Sequence, residues 1–216
     1  MKLYILKNNF IYKICSCDKN IIIPTNDFQS IKLYNKFKIL YDKTFIAESQ
    51  NLSWGKKDKI PNKLPVIIRP ITNLYGMGKD AYFLYDIDKL KIQDNFFWCE
   101  ILKGNHISVD IFYNDNNILG YIAFQGYQGE LFTFNYWEYI PKYKLSNKIK
   151  EWIYKNLKSF IGVFNIELIN DKIIECHLRM GDLNYFQNKE LIKCVIDCHK
   201  NKKIKLPILP KIYLLP

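Results

Sequence analysis

The chain has 216 residues and a formal net charge of +11, from 32 Lys and Arg against 21 Asp and Glu. Hydrophobic residues make up 49% and aromatics 16%, which excludes global disorder and supplies core for one domain or two small lobes sharing a cleft. No window approaches the ~18 consecutive apolar residues of a membrane span, and the lysine excess, spread along the whole chain, favours polyanionic partners such as nucleotides.

Residues 1–24 read as two short strands broken near Cys15–Asn20; charged and amide residues interrupt their apolar positions, so they do not form a signal peptide. Residues 27–48 read as mostly helical, with Ile31, Tyr34, Phe37 and Tyr41 at helical spacing and Asp27 as N-cap. A charged, Pro-containing linker follows at 55–63. Residues 64–85 and 96–124 are β-rich, with a short helix expected around 86–93. The aromatic cluster Phe132, Phe134, Tyr136, Trp137 and Tyr139 reads as a core strand. Residues 146–161 form an amphipathic helix capped by Ser146, burying Ile149, Trp152, Ile153, Leu157 and Phe160 and ended by Gly162. A last helix is expected over 188–200, and prolines keep the tail extended over the body.

The six cysteines, Cys15, Cys17, Cys99, Cys176, Cys194 and Cys198, match no common zinc spacing and read as reduced structural thiols of a cytosolic protein. Zinc on Cys194, Cys198 and His199 lacks an evident fourth ligand. The joint abundance of Asn, Ile, Lys and Tyr is the bias of an AT-rich genome, so part of the basicity is compositional, and a viral protein of this kind would work in the host cytoplasm. Neither a DNA-reading nor an RNA-stacking motif is present, which makes nucleic acid the less favoured polyanion.

The segment carrying the most chemistry is NIELINDKIIECHLR, residues 165–179. With Asn170-Asp171-Lys172 as the turn, Glu167 faces Glu175 and Asn165 faces His177 across a β-hairpin. Alternation then places Asn165, Glu167, Glu175, His177 and Arg179 on one face and Ile166, Leu168, Ile174, Cys176 and Leu178 on the other. Two directly opposed carboxylates repel unless a cation lies between them, and Mg²⁺ is held by one or two carboxylates together with water and phosphate.

The ending Glu175-x-His177-x-Arg179 resembles the E-x-N-x-R signature of the ATP-grasp superfamily, with His177 where that family usually has Asn. The resemblance implies Glu167, Glu175 and His177 as metal ligands and Arg179 facing the transferred phosphoryl group or the acceptor. Two further segments fall in the family's order. In LPVIIRPITNLYGMGKDAYFLY, residues 64–85, Arg69 stands where the family has a phosphate-reaching Lys, and Gly76, Gly78 and Lys79 form a loop resembling the one that covers the phosphates. In residues 96–124, Glu100 with the backbone of Ile101 and Leu102 resembles the adenine-binding hinge, and His106, Ser108 and Asp110 share a face toward ribose and phosphates. Residues 34–50 resemble the helix that precedes the first subdomain.

The resemblance implies an α+β, ATP-grasp-like fold: two small α+β lobes with mainly antiparallel sheets sandwiching a nucleotide cleft. Residues 1–30 would add short strands, 31–98 the lobe with the glycine loop, 99–187 the lobe with hinge and metal hairpin, and 188–216 a helix and tail. The implied cofactors are ATP and Mg²⁺, and the implied activity is an ADP-forming carboxylate–amine (or thiol) ligase acting through an acyl phosphate. Since only residues 1–30 precede the matching region, the acceptor is expected from a minimal cleft, a partner protein or a peptide terminus. Two alternatives stand beside this: a degenerate ATP-grasp fold that binds nucleotide or a partner without turnover, and a basic α+β module binding nucleic acid.

Overall fold

The computed structural model describes residues 21–72, 74, 78–130, 132–181 and 188–209, together with the backbone of 213–214. Of the two strands expected over 1–24, residues 21–24 are irregular chain and the rest, with Cys15 and Cys17, lies outside these residues, as does Gly76 of the glycine loop.

The stretch read as one helix over 27–48 is three pieces: α1 (Asp27–Leu33), a 3₁₀ segment (Asn35–Tyr41) and α2 (Lys43–Glu48). Asn26, not Asp27, caps α1, its Oδ1 accepting the Gln29 N–H at 3.0 Å. Asp42 caps α2 by accepting the N–H groups of Thr44 and Phe45. The chain continues through β1 (Trp54–Gly55), β2 (Val66–Pro70), β3 (Tyr82–Leu84), β4 (Phe96–Glu100), β5 (His106–Asn114), β6 (Asn117–Gln128) and β7 (Phe134–Tyr139). Then come α3 (Asn147–Asn156), β8 (Ile161–Ile169), β9 (Lys172–His177), α4 (Lys189–His199) and β10 (Tyr213–Leu214). The helix expected at 86–93 is a three-residue 3₁₀ turn, Ile87–Lys89. No helix among the described residues is long and apolar enough to cross a membrane.

Every strand pair is antiparallel. A four-stranded sheet runs β1-β4-β2-β3 and a six-stranded sheet runs β10-β7-β6-β5-β8-β9. Alternation divides the large sheet into two unlike faces. Val109, Ile111, Phe164, Ile166 and Leu168 point toward α2, α3 and the 3₁₀ segment, where Phe37, Leu40, Ile149, Trp152, Ile153, Leu157 and Phe160 complete the main core. Each such fully buried apolar side chain contributes ~1.5–3 kcal/mol. On the other face, Phe112, Ile122, Phe124 and Val163 pack under Leu191, Val195 and Cys198 of α4. The rest of that face is the polar stretch containing His106, Ser108, Asp110, Asn165 and Glu167.

The small sheet also has two dressed faces. Phe97 and Cys99 pack on Ala47 and Leu52 behind α2, while Val66, Ile68, Leu84 and Trp98 are closed by Leu90, Ile92 and Phe96. The outer edge of β9, an open template in principle, is tied off by the Gln50 side chain, which donates to the Ile173 carbonyl at 2.8 Å and accepts its N–H at 2.7 Å.

Two local expectations are corrected. The hairpin turn has only two central residues, Asn170 (φ 49°) and Asp171 (φ 55°), and a bulge follows, so Ile173 rather than Ile174 faces the core opposite Leu168. The positive φ at both positions makes a tight, strongly twisted turn, and the bulge restores the register of Glu167 with Glu175. Helix α3 ends at Asn156, not at Gly162, which belongs to β8. The chain leaves the helix through Leu157 and Ser159 (φ 64°) while keeping Leu157 and Phe160 buried. The tail behaves as expected: Leu209 is buried, Leu206 lies against Gly120, and β10 pairs with β7.

Candidate functional site

Glu167 and Glu175 are cross-strand partners, as are Asn165 and His177. The ligand atoms of Glu167, Glu175 and His177 lie within 4.8 Å of one another and form the group of possible metal ligands found among the described residues. Cys194, Cys198 and His199 make no such group: the thiols donate to the Lys205 and Gly162 carbonyls, and His199 Nδ1 bonds the Val195 carbonyl.

Cations from three elements converge on Glu175. Lys43, at the start of α2, places Nζ 3.1 Å from Oε1 with its side chain only 5% exposed. Arg69 of β2 has Nη1 at 3.8 Å from the same oxygen and donates from Nη2 to the Ile174 carbonyl at 2.8 Å. His177 Nε2 lies 3.3 Å from Oε2. Burial alone would raise the Glu175 carboxyl, but Lys43, His177 and Arg69 together hold it well below the usual carboxylate range. Burial pushes the Lys43 ammonium down, with Glu175 opposing that shift.

A second carboxylate completes the network. Asp27, buried on α1, receives Arg179 Nε at 2.7 Å and Nη2 at 3.1 Å and lies 3.2 Å from His177 Nδ1 through both oxygens. The Tyr41 hydroxyl donates to it and accepts the Leu178 N–H. Burial would lower the His177 pKa, but Asp27 and Glu175 on either side push it up to about 9. Asp27 is itself held below its usual range: His177 and Arg179 outweigh its burial.

The remaining anticipated residues are dispersed around this centre. His106 Nε2 lies 2.8 Å from Glu167 Oε2, with the imidazole edge-on to Phe134 and Trp137. Asp110 is fully buried, accepting the Gly181 N–H at 2.6 Å and the Asn165 amide at 3.1 Å. Gly181 leaves no room for a Cβ, which would fall 2.6 Å from Asn165 Nδ2. Glu100 Oε1 accepts the Ser53 N–H at 2.7 Å, and Ile101 and Leu102 follow as irregular chain toward β5. Gly78 (φ 57°) rests on Phe132, where a Cβ would lie 2.6 Å from the Phe132 Cβ, and Lys79 follows it on the surface. Gly78 thus touches the β6–β7 connection of the large sheet at Phe132.

Lys43 and Asp27 are the two site residues that the sequence reading missed. A Lys at a helix start is ordinarily solvated and an Asp there ordinarily caps. The one available signal was Asn26, an equally good cap one residue earlier, which frees Asp27 for another task.

An open depression of about 480 Å³ lies elsewhere, bounded by Asp80, Tyr82, Lys91, Gln93, Asn95 and Phe96. Tyr82 pairs with Ile68 and Phe96 with Pro70, so strand alternation puts it on the face of the small sheet away from Arg69. Its walls are largely exposed polar side chains, unlike the enclosed, mostly apolar lining of ligand sites.

No protein-family model and no curated protein sequence matches the chain. Solved structures do. An N5-carboxyaminoimidazole synthetase from Staphylococcus aureus, complexed with ADP, superposes with a TM-score of 0.56 at 13% identity over 82% of this chain and 55% of that one. A biotin carboxylase domain from Hydrogenobacter thermophilus, complexed with MgADP, gives 0.54 at 12% identity over 78% and 47%. An L-amino acid ligase from Bacillus licheniformis gives 0.51 at 12% identity over 76% and 48%. The chain has an ATP-grasp fold. It spans about half the length of these three proteins. Within this fold the opposed carboxylates and the converging cations sit where β8 and β9 of the large sheet meet β2 of the small one.

Proposed function

We propose that the chain binds MgATP between its two sheets and uses it as an ADP-forming carboxylate–amine (or thiol) ligase. The observation that carries this reading is the convergence of Lys43 and Arg69 on Glu175 of a paired-carboxylate hairpin within an ATP-grasp fold, with Arg179 held by Asp27 just beyond it. Counting His177 as imidazolium, four cations meet four carboxylates (Asp27, Asp110, Glu167 and Glu175), a balance that a bound divalent cation would tip toward phosphate. Phosphoryl transfer is chiefly a matter of positioning and charge neutralisation.

Glu167 and Glu175 fit a hard divalent cation: they are oxygen donors facing each other across one strand pair. Mg²⁺ there would neutralise the phosphates. His177 joins them as a ligand only when Nε2, the nitrogen facing Glu175, gives up its proton, while Nδ1–H stays on Asp27. Arg69, Lys43 and Lys79 would hold phosphate oxygens, with Gly76 and Gly78 letting backbone N–H groups approach. Ile101 and Leu102 after Glu100 would face the adenine edge, and His106, whose ring already spans from Glu167 to the aromatic pair, would face the ribose. Asp110 would act from behind, fixing the backbone at Gly181. Arg179 would meet the γ-phosphoryl group as it passes from ATP, leaving ADP, to an acceptor carboxylate; an amine or thiol would then attack the acyl carbon of the resulting acyl phosphate and expel phosphate.

A second reading, nucleotide binding without turnover, is favoured by one observation: both Nε and Nη2 of Arg179 are already engaged by Asp27. ADP release across a panel of amino acids and carboxylates separates the two. Turnover that disappears in Glu175→Gln supports the ligase; tight MgATP binding with no ADP formed on any acceptor supports the binding-only reading.

A further inference from the structure

We propose that Asp27 is a positioning residue for the nucleotide site proposed above, orienting Arg179 and His177 toward the terminal phosphate of a bound nucleotide. The inference rests on the nucleotide-binding reading and adds to it a residue from a helix that precedes both sheets in the chain.

Asp27 is 3% exposed and is not spent on helix capping, since Asn26 does that. Its carboxylate takes both prongs of the Arg179 fork, through Nε at 2.7 Å and Nη2 at 3.1 Å. It also meets His177 Nδ1 at 3.2 Å and accepts the Tyr41 hydroxyl. A two-pronged Arg–carboxylate bond fixes the plane of the guanidinium as well as its position. The third nitrogen, Nη1, donates to the Met180 carbonyl, so the whole head group is held in one orientation. The bond at Nδ1 does the same for the imidazole and aims Nε2 at Glu175.

Stability alone explains this arrangement poorly. Desolvating a carboxylate and two cations is costly, and buried ion networks are often no more stabilising than apolar packing. The network ties together Glu175 and His177 of β9 and Arg179 two residues beyond it, at alternate positions, so whatever fixes the last two also fixes the side of the proposed nucleotide site. Tyr41 braces the carboxylate from behind while its oxygen accepts the Leu178 N–H, locking the backbone between His177 and Arg179.

The test is calorimetric binding of MgATP and MgADP to wild type, Asp27→Asn, Arg179→Gln and the double variant. Each single change is expected to weaken MgATP about tenfold while altering MgADP by less than about twofold, and the double variant to lose no more than either single one. A purely structural Asp27 would instead weaken both nucleotides alike, and its loss would add to that of Arg179→Gln; that result overturns the proposal. Wild type that binds neither nucleotide overturns the nucleotide reading and this inference with it. Should Asp27→Asn not fold, Arg179→Lys carries the test, because it keeps the charge but lacks the fork. The same selective loss of MgATP supports the proposal, and an unchanged ATP-to-ADP preference refutes it.

Discussion

Lys43 Nζ lies 3.1 Å from Glu175 Oε1, so the first residue of a short helix neutralises a carboxylate on the edge strand of the large sheet. The pair explains how Glu167 and Glu175 tolerate facing each other. Directly opposed carboxylates destabilise a strand pair, and here each has a basic partner of its own, Lys43 for Glu175 and His106 for Glu167.

Replacing Lys43 by Met should therefore cost about 3 kcal/mol of folding stability, the lower part of the range for leaving a buried charge without its partner. Arg69 and His177 remain to moderate the loss. Urea denaturation measures it; a change below about 1 kcal/mol would show that the pair behaves like a solvated surface bridge.

Stability should also respond to pH through His177. Its folded pKa of about 9 lies above its ordinary 6.5. The stabilisation is therefore fully present below pH 6.5 and is lost as pH rises through 9, amounting to roughly 3 kcal/mol. Asp27 and Glu175 act in the opposite sense. Both are depressed, so their contribution is present above their ordinary values of 3.8 and 4.5 and is lost as pH falls below them. Denaturation at pH 6 and pH 9 should show the alkaline loss in wild type and its absence in His177→Gln; equal alkaline losses in the two proteins would rule out His177 as the source.

The hairpin turn offers a prediction independent of function. Asp171 holds φ at 55°, a conformation glycine adopts without strain, so Asp171→Gly should stabilise the protein by roughly 0.5–1 kcal/mol. A destabilised variant would contradict the two-residue turn.

How far these features could be read from the sequence depended on whether local pattern decided them. The register of Glu167 against Glu175 was legible because alternating apolar residues tolerate only one strand alignment. The bulge was not, since Ile173 and Ile174 are equally apolar and only the turn's backbone geometry selects between them. The end of α3 was hidden for a similar reason: Leu157 and Phe160 stay buried after the helix has stopped, so burial continues where hydrogen bonding does not. Lys43 and Asp27 were invisible because their partners, Glu175, His177 and Arg179, stand more than a hundred residues away. The strands and loops of the three segments were legible in order because each carries its own pattern, whereas the charges that cross between sheets are a property of the fold.

The loop contact should be equally testable. Gly78→Ala must accommodate a Cβ at φ 57° against Phe132, which should cost on the order of 1 kcal/mol and weaken MgADP binding several-fold if the loop covers the phosphates. Stability lowered with nucleotide affinity intact would confine the contact to a packing role.

The most direct measurement is calorimetric titration of MgADP into wild type and Glu175→Gln, with and without excess chelator. Wild type should show a single site whose affinity falls when Mg²⁺ is removed and which is lost, with its Mg²⁺ dependence, in the variant. Absence of binding to wild type, or binding that neither chelator nor Glu175→Gln alters, would contradict a cleft built around the opposed carboxylates.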